Sequence, residues 1–117
     1  MLMIKAVSKY DPERNYQWGN SCESWDLVEN VGLSVKHEMM PAGTSEQMHY
    51  HQESQQFFFI LAGTATLEVE GKQIEVSVHE GLHILPGQKH RIINNGSSDL
   101  EFILCSQPAI VNDRINI

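Results

Sequence analysis

The stretch HYHQESQQFFFILAG, His49 to Gly63, decides the reading of this chain. It sets two histidines one residue apart, follows them with Gln55 and Gln56, and runs through an almost unbroken apolar segment to a glycine. An extended strand places residues two apart on one face, so His49 and His51 project together, the geometry in which two imidazoles meet one metal ion. A third histidine, His90, opens HRIINN directly after the turn segment PGQK. Three inward imidazoles in one small barrel are expensive unless something pairs them. The segment QQFFFIL carries bulky apolar residues on both faces. Phe58 and Ile60 share the parity of Gln56 and are expected to wall a pocket, while Phe57, Phe59 and Leu61 pack the opposite face against a second sheet or a second subunit, which makes a homodimer the expected assembly.

Outside this stretch the same period of two recurs. Leu33, Val35 and Met39 alternate with Ser34, Lys36 and Glu38, and Ala65, Leu67 and Val69 alternate with Thr64, Thr66, Glu68 and Glu70. Turn signals punctuate the runs at PAGTS, EGKQ, PGQK and NNGSSD, and VEGKQIEV reads as a hairpin turning at Gly71. Helical spacing is hard to find. About seven to nine short strands at such intervals predict an all-β sandwich or barrel. The first 30 residues, with Pro12, Trp18, Gly19 and Trp25, are less regular and are expected to form an arm or edge strands.

A chain of 117 residues fits a single domain, residues 1–117, with a barrel core over 31–106 and a C-terminal tail over 107–117. Its 41% hydrophobic and 20% charged content is that of an ordinary globular protein, and no apolar run approaches the roughly 18 residues that span a bilayer. The opening segment MLMIKAVSKY breaks its apolar run at Lys5 and lacks a small-residue cleavage site, which reads as cytoplasmic. A formal charge of −7 argues against nucleic acid and membrane surfaces as partners, since both recruit clustered Lys and Arg. Cys22 and Cys105 have no paired spacing and are expected as reduced thiols, Cys105 packed among apolar neighbours.

The segments GTSEQMHYHQESQQFFFILAG and HEGLHILPGQKHRIIN resemble the two motifs of the cupins, G-x5-H-x-H-x3,4-E-x6-G and G-x5-P-x-G-x2-H-x3-N. In the first, Gly43, His49, His51, Gln56 and Gly63 fall in register, and in the second Gly87, His90 and Asn94 do. The family's proline falls on Leu85, beside Pro86, and its leading glycine on His79, with Gly81 displaced by two. The resemblance implies a double-stranded β-helix, a small jelly-roll β-barrel, and metal ligands at His49, His51, Gln56 and His90. Gln56 departs from the glutamate most metal-binding members place there. An amide oxygen still coordinates but brings no charge, so the ion keeps its full double charge, is held less tightly and polarises a bound oxygen more strongly. Glu53 shares parity with the two histidines and is the rival ligand, with family register and the following apolar strand favouring Gln56. The nitrogen and oxygen set points to one divalent transition metal ion, Zn, Ni, Fe or Mn.

Fold and metal do not fix the reaction. Cupins with a His, His, Gln, His set include proteins that convert unsaturated uronates to linear ketones and some polyketide cyclases. By that resemblance the expected activity is isomerase- or lyase-type chemistry on a small oxygenated, sugar- or uronate-like substrate bearing a carboxylate. An iron-dependent dioxygenase and a non-catalytic sugar- or small-acid-binding cupin are the alternatives. Glu46, Tyr50, His37 and Glu38 are candidate proton carriers, none of them assigned as catalytic from sequence. His37 shares a face with Leu33 and Val35 and is expected as a hydrogen-bonded core residue, while His83 and Lys89 are expected at the surface. Trp18 and Trp25 either cap the barrel mouth or anchor the arm.

Overall fold

The computed structural model describes residues 4–117, so the first three residues of the expected N-terminal arm lie outside the described residues. The decisive stretch forms two strands, β4 (His49–His51) and β5 (Gln55–Ala62), in different sheets. Preceding them are β1 (Arg14–Trp18), β2 (Cys22–Glu29) and β3 (Ser34–Met40); following them are β6 (Ala65–Val69), β7 (Lys72–Val76), β8 (Gly81–Ile84), β9 (His90–Ile93), β10 (Leu100–Gln107) and β11 (Arg114–Asn116). One sheet has the order β1-β2-β3-β10-β5-β8 and the other β11-β4-β9-β6-β7. Every ladder is antiparallel. This is the all-β double-stranded β-helix, with two more strands than the widest count the turn signals suggested.

The extra strands come from short segments that hydropathy alone does not mark. β1 and β2 form a hairpin whose second strand extends the sheet from β3. The three-residue β11 pairs along β4, putting Arg114 opposite His51 and Asn116 opposite His49. The hairpin expected at Gly71 is present: Glu70 and Gly71 are its two loop residues, both at positive φ (49° and 81°), between the paired Val69 and Lys72. That doubly left-handed pair matches the twist of the flanking strands.

Between the sheets the apolar side chains gather at one end. Phe58, Ile60, Leu67, Ile84, Ile92, Leu100 and Phe102 are at most 2% exposed and pack into one core. Phe58 and Ile60 point inward with Gln56, whereas Phe57 and Leu61, on the opposite face, are 41% and 37% exposed. Gly63 closes the run at φ +80°, where a Cβ would stand 2.9 Å from the Asp99 carbonyl oxygen; only glycine fits that position without strain.

Toward the other end the inward face changes character. Ser24 and Asp26 of β2 and Ser34 and Glu38 of β3 are buried, and Lys36 shares their parity. Val35, His37 and Met39 take the outer face, so the expectation that His37 turns inward is reversed. Its Nε2 lies 2.8 Å from Glu101 Oε1 and its ring meets Trp25 edge-on at 5.5 Å. The reason is that the barrel interior here is a polar cavity, so the polar half of the alternation faces in. Among the described residues no helix is long and apolar enough to cross a membrane.

Candidate metal centre

Three elements converge on the histidines. β4 turns His49 and His51 to the same inward face, and the antiparallel pairing of His49 with His90 sets the third imidazole beside them. The turn before β9 is tied to β4 by the Gly87 N–H, which donates to the His51 carbonyl at 2.7 Å. Ring centroids of His49 lie 4.9 Å from His51 and 4.4 Å from His90, and the ring nitrogens available as ligands all fall within 4.8 Å of one another. All three residues are at most 3% exposed.

Two of the imidazoles are oriented from behind. Nδ1 of His49 lies 2.8 Å from the Gln47 carbonyl oxygen and Nδ1 of His90 lies 2.8 Å from that of Gln88. Since a carbonyl only accepts, both rings carry their proton on Nδ1 and turn the Nε2 lone pair inward. Burial pushes the His49 ring down to about 3, with Arg114 and the other imidazoles adding to the effect and the Gln47 carbonyl opposing it. Burial likewise takes His51 to about 4, and it lowers His90. The three rings are therefore neutral at pH 7, the form that binds a metal.

Gln56 completes the cluster from the other sheet. Its Nε2 donates to Ser106 Oγ at 3.0 Å, which leaves Oε1 facing His90 Nε2 at 3.0 Å. Both of those atoms are acceptors when His90 is neutral, and neither ring nitrogen of His51 has a hydrogen-bond partner although both are buried. With the Nε2 lone pairs of His49 and His90, the unprotonated nitrogen of His51 and Gln56 Oε1 gathered in one place, the residues fit a divalent ion of the transition series. Glu53 does not compete for the place: it is exposed on the turn after β4, and it is its backbone N–H that is engaged, with Asp113. Gln55 faces outward, bonded to Gln107 and His83.

His49, His51 and Gln56 form part of the wall of a cavity of about 500 Å³. Of the candidate proton carriers, Glu38 and Glu46 line it; His37 and Tyr50 do not. Burial raises the Glu38 carboxyl to about 7, partly offset by Ser24 and Lys36, and raises Glu46 to about 8 against the pull of Arg114. The Ile92 N–H donates to Glu46 Oε1 at 3.2 Å. Trp18 lines the cavity, whereas Trp25 lies on the outer face under Lys9. Sequence reasoning passed over Arg14, Asp26, Lys36 and Arg114, all in the cavity wall. The alternation in CESWDLVE and SVKHEMM was the available signal, once the inward face is recognised as polar.

Asp113 was also missed. Its carboxylate accepts from the N–H groups of Gln52 (2.8 Å), Glu53 (3.1 Å) and Ser54 (3.0 Å), fixing the turn between His51 and Gln56. Asn94, in register in the second motif, is 1% exposed and donates to the Met40 and Ser98 carbonyls, a structural tie away from the metal cluster.

The profile of the cupin domain family matches residues 36–106. The chain is 30% identical over 109 residues to the oxalate-binding protein of Thermotoga maritima, covering 86% of this chain and 90% of that one. It is 31% identical over 95 residues to the tetracenomycin polyketide synthase protein TcmJ of Streptomyces glaucescens, covering 79% and 62%. Two of its curated relatives are longer, and the chain spans 66% and 62% of their length. Among solved structures, KdgF from Halomonas sp. superposes with a TM-score of 0.78 at 14% identity, over 86% of this chain and 90% of that one.

Proposed function

The chain belongs to the cupin domain family, and on that premise we propose that it is a metal-dependent enzyme acting on a small, oxygenated, carboxylate-bearing substrate of the sugar or uronate kind by isomerase- or lyase-type chemistry. The observation that carries this reading is the convergence of the buried His49, His51 and His90 imidazoles with the Gln56 amide oxygen, with His49, His51 and Gln56 in the cavity wall. The oxalate-binding relative, by its name, takes a small carboxylate, which supports an anionic ligand.

In this reading the four residues hold one divalent ion, Zn, Ni, Fe or Mn, which supplies a Lewis acid for a substrate oxygen. The chain's own part is to present it. Gln47 and Gln88 fix the His49 and His90 rings from behind, and Ser106 fixes the Gln56 amide. Because all four groups are neutral, none of the ion's charge is cancelled, which favours an anionic oxygen and charge that develops on it. Glu38 and Glu46, held near neutrality by burial, are the cavity carboxyls able to give or take a proton at pH 7. The homodimer expected from the two-sided strand β5 is part of the reading, and a monomer mass in sedimentation velocity would remove it.

Elemental analysis tests the centre. Protein purified without added metal or a histidine tag is expected to carry or take up about one transition-metal ion per chain, lost in His49→Ala and His90→Ala. No metal in the parent, and none acquired on dialysis, would overturn the reading. Loaded protein is then offered an unsaturated uronate under argon; its conversion to the ketone without oxygen separates this chemistry from a dioxygenase.

A further inference from the structure

Three cationic side chains line the cavity, and their surroundings differ. Lys36 Nζ lies 2.7 Å from Asp26 Oδ1 and 3.6 Å from Glu29 Oε2, and Arg14 Nε lies 3.3 Å from Asp26 Oδ2, so both of these cations are answered by acids. Arg114 is not. Among the described residues its acidic partner is Glu46, whose Oε2 stands 3.8 Å from Nη1, too far for a hydrogen bond, while Oε1 takes the Ile92 N–H. Burial also holds that carboxyl near neutrality at pH 7, so it cancels little of the guanidinium's charge.

The guanidinium is nonetheless held in place. Nε donates to Asn116 Oδ1 at 2.8 Å and Nη2 to the Gln47 carbonyl oxygen at 3.4 Å. That carbonyl also accepts from His49 Nδ1, so a single oxygen orients the cation and one of the clustered imidazoles together. Arg114 stands opposite His51 in the ladder of β4 and β11, where paired Cα atoms are about 5 Å apart. Of the five N–H groups of a guanidinium two are used here, and those left on Nη1 and Nη2 suit the two oxygens of a carboxylate. A fixed cation beside the place of a divalent ion is relieved by an anion that reaches it.

Resting on the reading of the site given above, we propose that Arg114 is its specificity-determining residue: the guanidinium takes the ligand's carboxylate and leaves the metal to the oxygen at which the reaction occurs. A carboxylate bound on the ion would cancel part of the charge that a neutral ligand set preserves, and would fill the position the reacting oxygen needs. A guanidinium held to one side takes the same carboxylate through a two-point fork without touching the ion. Lys36 and Arg14 are poorer hosts, because a carboxylate arriving at either meets Asp26, and at Lys36 also Glu29.

The test is calorimetric titration of the full chain loaded with Zn²⁺, using D-galacturonate and its neutral methyl ester as probes, with metal content measured alongside. The parent is expected to bind the acid at least about tenfold more tightly than the ester, and Arg114→Met to cut that preference to about threefold or less through a loss on the acid alone. Zn²⁺ is expected to be retained as well as in the parent or better, because a cation has been removed from the ion's surroundings. Arg114→Gln is expected to behave as the methionine variant does, which preserves the test if that variant does not fold, and Arg114→Lys to restore part of the preference, since it returns the charge without the fork. A side chain that only braced β11 would on removal loosen the metal and weaken acid and ester alike, and that result would overturn the proposal. So would an acid-over-ester preference unchanged in the metal-retaining variants, which would put the carboxylate on the ion. A parent that takes up no Zn²⁺ overturns the metal-site reading, a loaded parent that binds neither probe overturns the substrate reading, and the Arg114 assignment falls with either; metal content and parent titration together tell these failures from that of the assignment alone.

Discussion

Asp113→Ala is expected to cost on the order of 3 to 5 kcal/mol of stability and to weaken metal retention by about tenfold or more. The carboxylate gathers the Gln52, Glu53 and Ser54 N–H groups at 2.8 to 3.2 Å. Hydrogen bonds to a charged acceptor contribute roughly 1.5 to 3 kcal/mol each, so three sum to about 4.5 to 9 kcal/mol before any relief. Relief is available to two of them, because Gln52 and Glu53 are exposed and water reaches their amides; Ser54 is 1% exposed and its N–H is orphaned. The turn also sets the distance between His51 and Gln56, hence the coupled loss of metal. Burial would raise the Asp113 carboxyl, but the three amides outweigh it and hold it below its ordinary 3.8. Its contribution is therefore fully present above that pH and fades as the pH falls through the lowered value. Urea unfolding of the metal-free protein at pH 7 measures the stability, and chelator competition the metal affinity. A loss under about 1 kcal/mol, or unchanged metal affinity, would refute the reasoning.

Gln56→Glu is expected to tighten divalent-metal retention by about tenfold in chelator competition while weakening anionic ligands, since it adds one negative charge at the ion; equal retention would show that the amide is not a ligand. Glu38 and Glu46 have folded values raised to about 7 and about 8, so their contribution is present below pH 4.5 and lost as pH rises through those values. The metal-free protein is expected to lose up to about 7 kcal/mol between pH 5 and 9, and the Glu38→Gln, Glu46→Gln pair to flatten that slope in urea titrations; an unaltered slope would sink the assignment. Gly63→Ala is expected to cost about 1 to 3 kcal/mol, from positive φ and the 2.9 Å approach to Asp99 O, read as a lowered melting temperature. Phe58→Ala, which removes a ring at 2% exposure packed on Phe102 and facing His90, is expected to cost about 3 to 5 kcal/mol and to reduce metal occupancy as well.

What was legible in the chain followed from local chemistry. The two histidines at spacing two, the oily strand after them and the turn residues between runs all act over a few residues and led to an all-β sandwich or barrel, which the resemblance to the cupin motifs narrowed to the double-stranded β-helix. The second motif was looser for a physical reason. The family's leading glycine falls on His79, which nonetheless adopts φ +68°, so a left-handed position survives without the residue that marks it. Gly81 has a different role: a Cβ there would stand 2.3 Å from the Phe57 ring, so the glycine makes room for a neighbour. Asp113 and Arg114 were invisible because their partners are more than 50 residues away in sequence and the three-residue β11 is too short to show a period.

The deeper misreading concerned which half of an alternation faces in. In SVKHEMM and CESWDLVE the buried Ser34, Glu38, Ser24 and Asp26 point to the interior, where the two strands line a polar cavity and not the apolar core. The same fact explains the paired arrangement of charge. In the proposed reading a neutral ligand set leaves the metal's charge uncancelled, so cations elsewhere in the cavity would repel the ion unless acids offset them; Asp26 and Glu29 are placed to do so for Arg14 and Lys36. If Gln56 is a ligand as proposed, the amide there and the acids in the wall are one solution: negative charge lies in the surround, where it balances the cations without competing for the ion. Restoring a glutamate at position 56 would upset both sides of that balance, which is why its effect on anion binding, more than on metal affinity, is the sharper measure of how this site differs from the common cupin arrangement.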